Sequence, residues 1–279
     1  MTALQAIWLG LVQGVAEFLP ISSSGHLSIF QNFFGMKAAA QGSMLFDVLL
    51  HLATLLSVCV AYRKELVEIV HDGIGFVRQI GHPVPGKRNE RHPGARLLLM
   101  IIVATLPLVL ILPVNDTLER LYDSTAFIGI ALLLTGAMLY ISDKMPRGDK
   151  TEKNMGIRNA LVVGLCQAVA TMPGLSRSGT TITAGIATGF EREFAVKFSF
   201  LLSIPAVLGA NILTLIDAAK EGIDASQIPV YLLGMLVAAV SGYFSISLLK
   251  YISRNGKFGG FAYYCAAAGV ITLILTVIL

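Results

Sequence analysis

The sequence predicts an all-α integral membrane protein, with six transmembrane helices plus two re-entrant helical hairpins in an inverted-topology repeat. Three observations carry this. Of 279 residues, 55% are hydrophobic and only 14% charged, against about 25% charged in a soluble domain. The uncharged residues collect in runs long enough to cross a bilayer, which takes roughly 17–25 apolar residues. Finally, a stretch near the N-terminus recurs in the second half of the chain.

The first element in chain order covers residues 3–34. It has a helical stretch of about 15 residues, which reaches roughly 23 Å and falls short of a ~30 Å hydrocarbon core. A Pro/Ser/Gly break and a second, shorter apolar stretch follow, so the segment reads as a re-entrant hairpin. Irregular backbone at that depth survives only inside protein or beside a water-filled cavity. Spans follow at 44–62, 95–114 and 125–142. Residues 159–189 repeat the hairpin pattern, and spans at 198–216, 230–249 and 258–279 complete the chain. All belong to one membrane domain, with repeat 1 at about 1–142 and repeat 2 at about 157–279. The first charged residue is Glu17 and no basic segment precedes it, so a cleavable signal peptide is not expected.

The net charge is +4. The basic residues gather in alternate loops: Arg63, Lys64, Arg78, Lys87, Arg88, Arg91 and Arg96 after span one, and Lys144, Arg147, Lys150, Lys153 and Arg158 after span three. Lys250, Arg254 and Lys257 follow span five, whereas the intervening loops hold only Arg120 and Lys220. Positive-inside counting makes the basic loops cytoplasmic and puts both termini outside. No aromatic-basic interleaving points to nucleic acid. Cys59, Cys166 and Cys265 lie in apolar segments without metal-binding spacing and read as inert buried thiols.

The two hairpins are copies. A shift of 154 residues lays Gly10, Leu11, Gln13, Val15, Ala16, Ser22, Ser24 and Gly25 on Gly164, Leu165, Gln167, Val169, Ala170, Ser176, Ser178 and Gly179. Phe46 also lands on Phe200. Three spans follow each copy, and an odd number reverses direction. The second half is therefore inverted, and the two breaks, PISSSGH and PGLSRSG, face each other inside the protein.

A helix restarting after each break offers unpaired N–H groups and a positive dipole end, which favour an anion. Ser22, Ser23 and Ser24 can cap the first such helix, and Ser176 and Ser178 the second. Gly25 and Gly179 permit close ligand approach. Two such termini aimed at one place suit a diphosphate. Thr180 and Thr181 extend the second set. Where the first copy has Ser23 the second has Arg177, an intramembrane guanidinium whose planar fork matches phosphate oxygens. Glu17 is the other charge at depth and shares a helix face with Gln13. It can hold a divalent cation, act as a base, or pair structurally with Arg177. Gln13 has a repeat partner in Gln167, which fits a structural role as well. His26 is either a satisfied polar group or the partner of a serine nucleophile. Asp47 and His51 lie four residues apart on one helix face, as a structural pair or an extension of the proton or metal network.

At these residues the sequence resembles the bacitracin-resistance type of undecaprenyl-pyrophosphate phosphatase, over essentially the whole chain. A Glu/Gln-x-x-x-Glu motif matches Gln13 and Glu17, a Pro-x-Ser-Ser-(Ser/Thr)-Gly-His motif matches Pro20 through His26, and Pro-Gly-x-Ser-Arg-Ser-Gly-x-Thr matches Pro173 through Thr181. With glutamine at position 13, Glu17 serves a metal alone or with another ligand. The resemblance implies hydrolysis of undecaprenyl diphosphate to undecaprenyl phosphate and inorganic phosphate at the outer face of the bacterial inner membrane. It recycles the carrier lipid of peptidoglycan synthesis and confers bacitracin resistance. It also implies a divalent cation, Mg²⁺ or Ca²⁺, and a homodimer. Catalytic roles fall to Ser23, Glu17, His26 and Arg177, with Ser23 singled out among the three serines by the family match. The alternative is a transporter or flippase of a polyprenyl phosphate lipid, because inverted repeats and broken helices serve transporters too.

Overall fold

A computed structural model describes residues 1–33, 44–78, 93–114, 118, 120–221, 225–255 and 257–278. The hairpin end at Phe34, the loop cations Lys87, Arg88 and Arg91, and Leu279 lie outside the described residues. The described residues are almost wholly helical, with only one isolated bridge, between Lys150 and Phe190. Five described helices are long and apolar enough to cross a membrane, or six if a bent pair counts as one span. The protein is therefore an all-α membrane protein.

The first hairpin consists of α1 (Ala3–Phe18) and α2 (Ser23–Phe33), the second of α7 (Ile157–Val169) and α8 (Arg177–Ala187). Between them lie α3 (Met44–Ala61), α4 (Arg63–Arg78), α5 (Pro93–Thr105), which tightens into a 3-10 turn at Leu106–Val114, and α6 (Thr125–Lys144). After the second hairpin come α9 (Arg192–Glu221), α10 (Ile228–Asn255) and α11 (Gly259–Ile278). Helix α4 was expected as loop. Its charged face hides an apolar one on which Ile69 is buried, the pattern of an amphipathic surface helix. It leaves α3 at a 79° bend, where the Lys250 ammonium donates to the Ala61 carbonyl at 3.0 Å and lies over the Tyr62 ring.

The basic segments converge at one end of the bundle. There Lys197 pairs with Glu152, Arg254 with Glu193 and Arg192 with Asp143, and Arg96 donates to the carbonyls of Lys153 and Met155. The second hairpin starts and finishes at this end, since Asn159 near its start donates to the Thr188 carbonyl beyond its finish at 3.1 Å. The first hairpin starts and finishes at the opposite end. Its N-terminal amine donates to Gln227 just before α10, and Ser28 on its return helix donates to the Tyr122 carbonyl just before α6. The hairpins thus enter from opposite ends and turn back inside.

Small residues let the hairpins sit deep. Helix α1 packs on α10, and α7 on α5 with its 3-10 extension. A Cβ at Gly14 would stand 2.5 Å from the Ala238 carbonyl oxygen, and one at Gly10 only 3.3 Å from Gly234 Cα with the carbonyl closer still. Close backbone approach of this kind is how membrane helices pack without a hydrophobic driving force. The last span of each half does the same, with a Cβ at Gly269 standing 2.8 Å from the Gly129 carbonyl. Gly10→Val therefore forces α1 off α10 and should destabilise the protein by about 1–3 kcal/mol. The check is the thermal midpoint in detergent. Gly209→Ala, a helical position with no described residue within 4 Å, should hold or raise it, and equal midpoints for both variants would refute the packing argument.

Candidate active site

Each hairpin breaks for a local reason. Leu19 precedes a proline, which disfavours helical backbone, and it is extended (φ −67°, ψ 141°). Ser22 then takes φ +71°, a left-handed conformation that costs a non-glycine residue roughly 1–2 kcal/mol. Its Oγ accepts from the Gly25 N–H at 3.2 Å and caps α2. The second break turns at Gly174 (φ +84°), and Ser176 Oγ accepts from the Gly179 N–H at 3.0 Å to cap α8. Ser22 and Ser176 stand at equivalent places in the two copies and do the same work.

The breaks touch. A Cβ on Gly25 would stand 3.1 Å from Gly174 Cα, and one on Gly179 would stand 3.3 Å from Pro20 Cβ. Gly174 N–H points at Ser24 Oγ (3.5 Å) and the Ser178 hydroxyl at the Leu19 carbonyl (3.4 Å). Thr135, midway along α6, accepts from the Ser176 N–H at 3.1 Å. The first-turn N–H groups of α2 and α8 have no intrahelical acceptors by position, so two helix starts meet at one place.

Glu17 lies at that junction, 8% exposed. One carboxylate oxygen, Oε2, accepts from the Ser23 hydroxyl at 2.7 Å and from Gln13 Nε2 at 3.2 Å. The other, Oε1, pairs with Arg177 Nη2. One carboxylate thus joins a hydroxyl of the first break to the guanidinium of the second. The pair is half of an arrangement a phosphate can complete: the remaining guanidinium donors and the helix N–H groups attract oxyanions, and the carboxylate can receive the serine proton.

The other expected residues divide. Ser22, Ser24, Gly25, Ser176, Ser178 and Gly179 all lie at the junction. Thr180 is next to it, with a buried Oγ that has no hydrogen-bond partner among the described residues. The Thr181 hydroxyl is engaged by Ser199 Oγ at 2.6 Å and the Arg177 carbonyl at 2.8 Å, so it braces α8 against α9. His26 does not reach Ser23. Its Nδ1 meets the Ser22 carbonyl at 2.8 Å and its Nε2 the Tyr264 hydroxyl at 2.7 Å. His51 bonds through Nδ1 to the Asp47 main-chain carbonyl at 2.8 Å and not to its carboxylate. Its imidazole lies within electrostatic reach of both Asp47 and Glu17.

Sequence reasoning missed Thr135, Ser199 and Tyr264, and read Cys265, which is buried as expected, only as an inert thiol. All sit in apolar spans outside any motif, and no local pattern marks them.

Among the described residues no cluster of three or more His, Cys, Asp or Glu could cage a metal. The donors present nevertheless fit a hard cation. Gln13 is fully buried, and its Oε1 has no hydrogen-bond partner among the described residues, beside the Glu17 carboxylate. Mg²⁺ needs only one or two protein oxygens, with substrate phosphates completing its octahedron.

Comparison with known proteins finds a family match and relatives along almost the whole chain. The family model described as "Bacitracin resistance protein BacA" matches residues 6–271. The chain is 40% identical over 279 residues to a protein of Methanosphaera stadtmanae named "Undecaprenyl-diphosphatase", covering 99% of each. Similar proteins with that name from Carboxydothermus hydrogenoformans (38% over 278 residues, 99% of this chain and 98% of the relative) and Alkaliphilus metalliredigens (38% over 281 residues, 100% of both) span the chain equally.

Proposed function

The chain belongs to the bacitracin resistance protein BacA family, and from that membership we propose that its opposed hairpins hydrolyse undecaprenyl diphosphate to undecaprenyl phosphate and inorganic phosphate. It is a membrane-embedded hydrolase of the undecaprenyl-diphosphatase type, and its activity underlies bacitracin resistance and returns carrier lipid to peptidoglycan synthesis. The observation that supports the site assignment most is the Ser23–Glu17–Arg177 connection across the two breaks.

In the proposed mechanism Arg177 and the N–H groups at the starts of α2 and α8 bind the diphosphate. Ser23 Oγ attacks the terminal phosphorus and passes its proton to Glu17 Oε2. The bond between that phosphorus and the bridging oxygen breaks, and its electron pair leaves with undecaprenyl phosphate. Water then attacks the phosphoserine, inorganic phosphate departs and the serine hydroxyl is restored. Positioning and charge stabilisation dominate such transfers, because the transition state is loose and spreads its charge over the phosphoryl oxygens. Glu17 and Gln13 Oε1 would hold Mg²⁺ or Ca²⁺ against the substrate. The ion neutralises phosphate charge when bound. Chelation should lower turnover roughly 10²-fold, reversibly on adding Mg²⁺ or Ca²⁺. Full activity after exhaustive chelation would remove the cation from the scheme.

The same proposal places the protein in the bacterial inner membrane with the basic end cytoplasmic, supported by the gathering of cations there. It has the site release phosphate to the outer face and the isoprenyl chain leave sideways into lipid. It also includes a homodimer, implied by the family, which cross-linking in native membranes tests.

The opposed hairpins also suit a lipid transporter. Pure protein in detergent, with no gradient present, separates the two readings. Stoichiometric phosphate release from undecaprenyl diphosphate supports the hydrolase. Transport in vesicles by a protein that releases no phosphate would overturn it.

A further inference from the structure

We propose that Tyr264, on the last span, is a positioning residue of the active centre that acts through His26 on Ser23. The main-chain carbonyl of Ser22 can only accept, so the 2.8 Å contact with His26 Nδ1 puts the proton on Nδ1. Nε2 then carries the lone pair and accepts from the Tyr264 hydroxyl at 2.7 Å. The result is a chain of donors running one way, from the phenol to the imidazole to the Ser22 carbonyl. The two rings lie nearly parallel, 10° apart with centroids 5.6 Å apart.

The far end of that chain is the residue that needs holding. Ser22 carries the left-handed backbone of the break, a conformation that persists only when its surroundings over-determine it. Ser23, the next residue, makes the 2.7 Å contact with Glu17. A carbonyl fixed at Ser22 sets the peptide plane that leads into Ser23. The neighbour of Tyr264 grips the same break, with Cys265 Sγ 3.5 Å from the Pro20 carbonyl. Two successive residues of α11 thus clamp the first hairpin, 238 residues away in sequence from His26. In this arrangement both His26 nitrogens are occupied, so its part is to orient the break, and Glu17 is the group within reach of the serine proton.

This inference rests on Ser23 as the attacking group, and the experiment separates the two. Tyr264→Phe keeps the stacked ring and removes only the hydroxyl. In the full-length protein in detergent, kcat for undecaprenyl diphosphate should fall about 10-fold, with KM within about twofold, the worth of one neutral hydrogen bond. The ¹⁵N spectrum of histidine-labelled protein should show His26, identified by its loss in His26→Gln, as the Nδ1–H tautomer with a hydrogen-bonded Nε2. In Tyr264→Phe that Nε2 signal should move. A kcat within twofold of wild type overturns the proposal, and so does a lower kcat with an unmoved imidazole signal. Near-normal turnover in Ser23→Ala would instead sink the nucleophile assignment, while the imidazole signal still reads the Tyr264 contact.

Discussion

Arg177→Ala should lower phosphate release from undecaprenyl diphosphate by about 10³-fold or more, as removal of an arginine that stabilises a transferring phosphoryl does elsewhere. The guanidinium stands at the first turn of α8 and reaches across the junction to Glu17. It is the one cation placed at the meeting of the two breaks among the described residues. Arg177→Lys should recover little, because an ammonium lacks the planar fork that binds two phosphate oxygens at once. The loss has two components that can be told apart. Removing the cation also strands Glu17, whose side chain is only 7% exposed, and breaking a buried pair from one side typically costs 3–5 kcal/mol. The double variant Arg177→Ala with Glu17→Gln removes the stranded charge and should regain thermal stability without regaining turnover. Glu17→Gln also removes the acceptor of the serine proton, so the double variant reads stability alone; a near-wild-type kcat in Arg177→Ala itself is the result that would make Arg177 a structural partner only.

Ser23→Ala should abolish turnover by roughly 10⁴-fold, since loss of a nucleophile removes the covalent route and leaves binding and charge stabilisation. The folded site should survive, because Ser23 makes no contact that caps α2; that task belongs to Ser22. Ser22→Ala should act differently, with a cap loss of about 1 kcal/mol and a moderate drop in rate. Acid-quenching wild type during turnover should yield a peptide containing Ser23 with the added mass of one phosphoryl group. A Ser23→Ala enzyme with near-wild-type rate, or a phosphoryl group found on another residue, would transfer the role to activated water or to a neighbouring serine.

Much of the fold was legible because the bilayer imposes length and apolarity on every span. The expected span 125–142 is the helix Thr125–Lys144, and 258–279 is Gly259–Ile278. The helices around 198–216 and 230–249 run further, to Arg192–Glu221 and Ile228–Asn255. Hydropathy marks only the hydrocarbon zone, whereas a helix continues into the headgroups. Helix α4 escaped because its charges read as loop while its apolar face needs α5 to become visible. In the site, the residues carrying formal charge or helix-start chemistry were legible in the motifs themselves. Glu17, Arg177 and the serines around each break are found together.

By itself the sequence determined the membrane class, the duplicated broken helices and the chemical groups gathered at their breaks. These follow from rules that act over one turn or one bilayer thickness: apolar length, proline and glycine punctuation, capping serines, and the expense of charge at depth. Only the tertiary structure decided which hydroxyl meets Glu17, that His26 turns away from Ser23 toward Tyr264, and that Thr181 braces helices while the Thr180 hydroxyl has no partner among the described residues. The His26–Tyr264 contact joins residues 238 positions apart. Such pairings depend on how whole helices seat against one another through Gly10, Gly14 and Gly269, and no local rule encodes the rotation of one span about its axis.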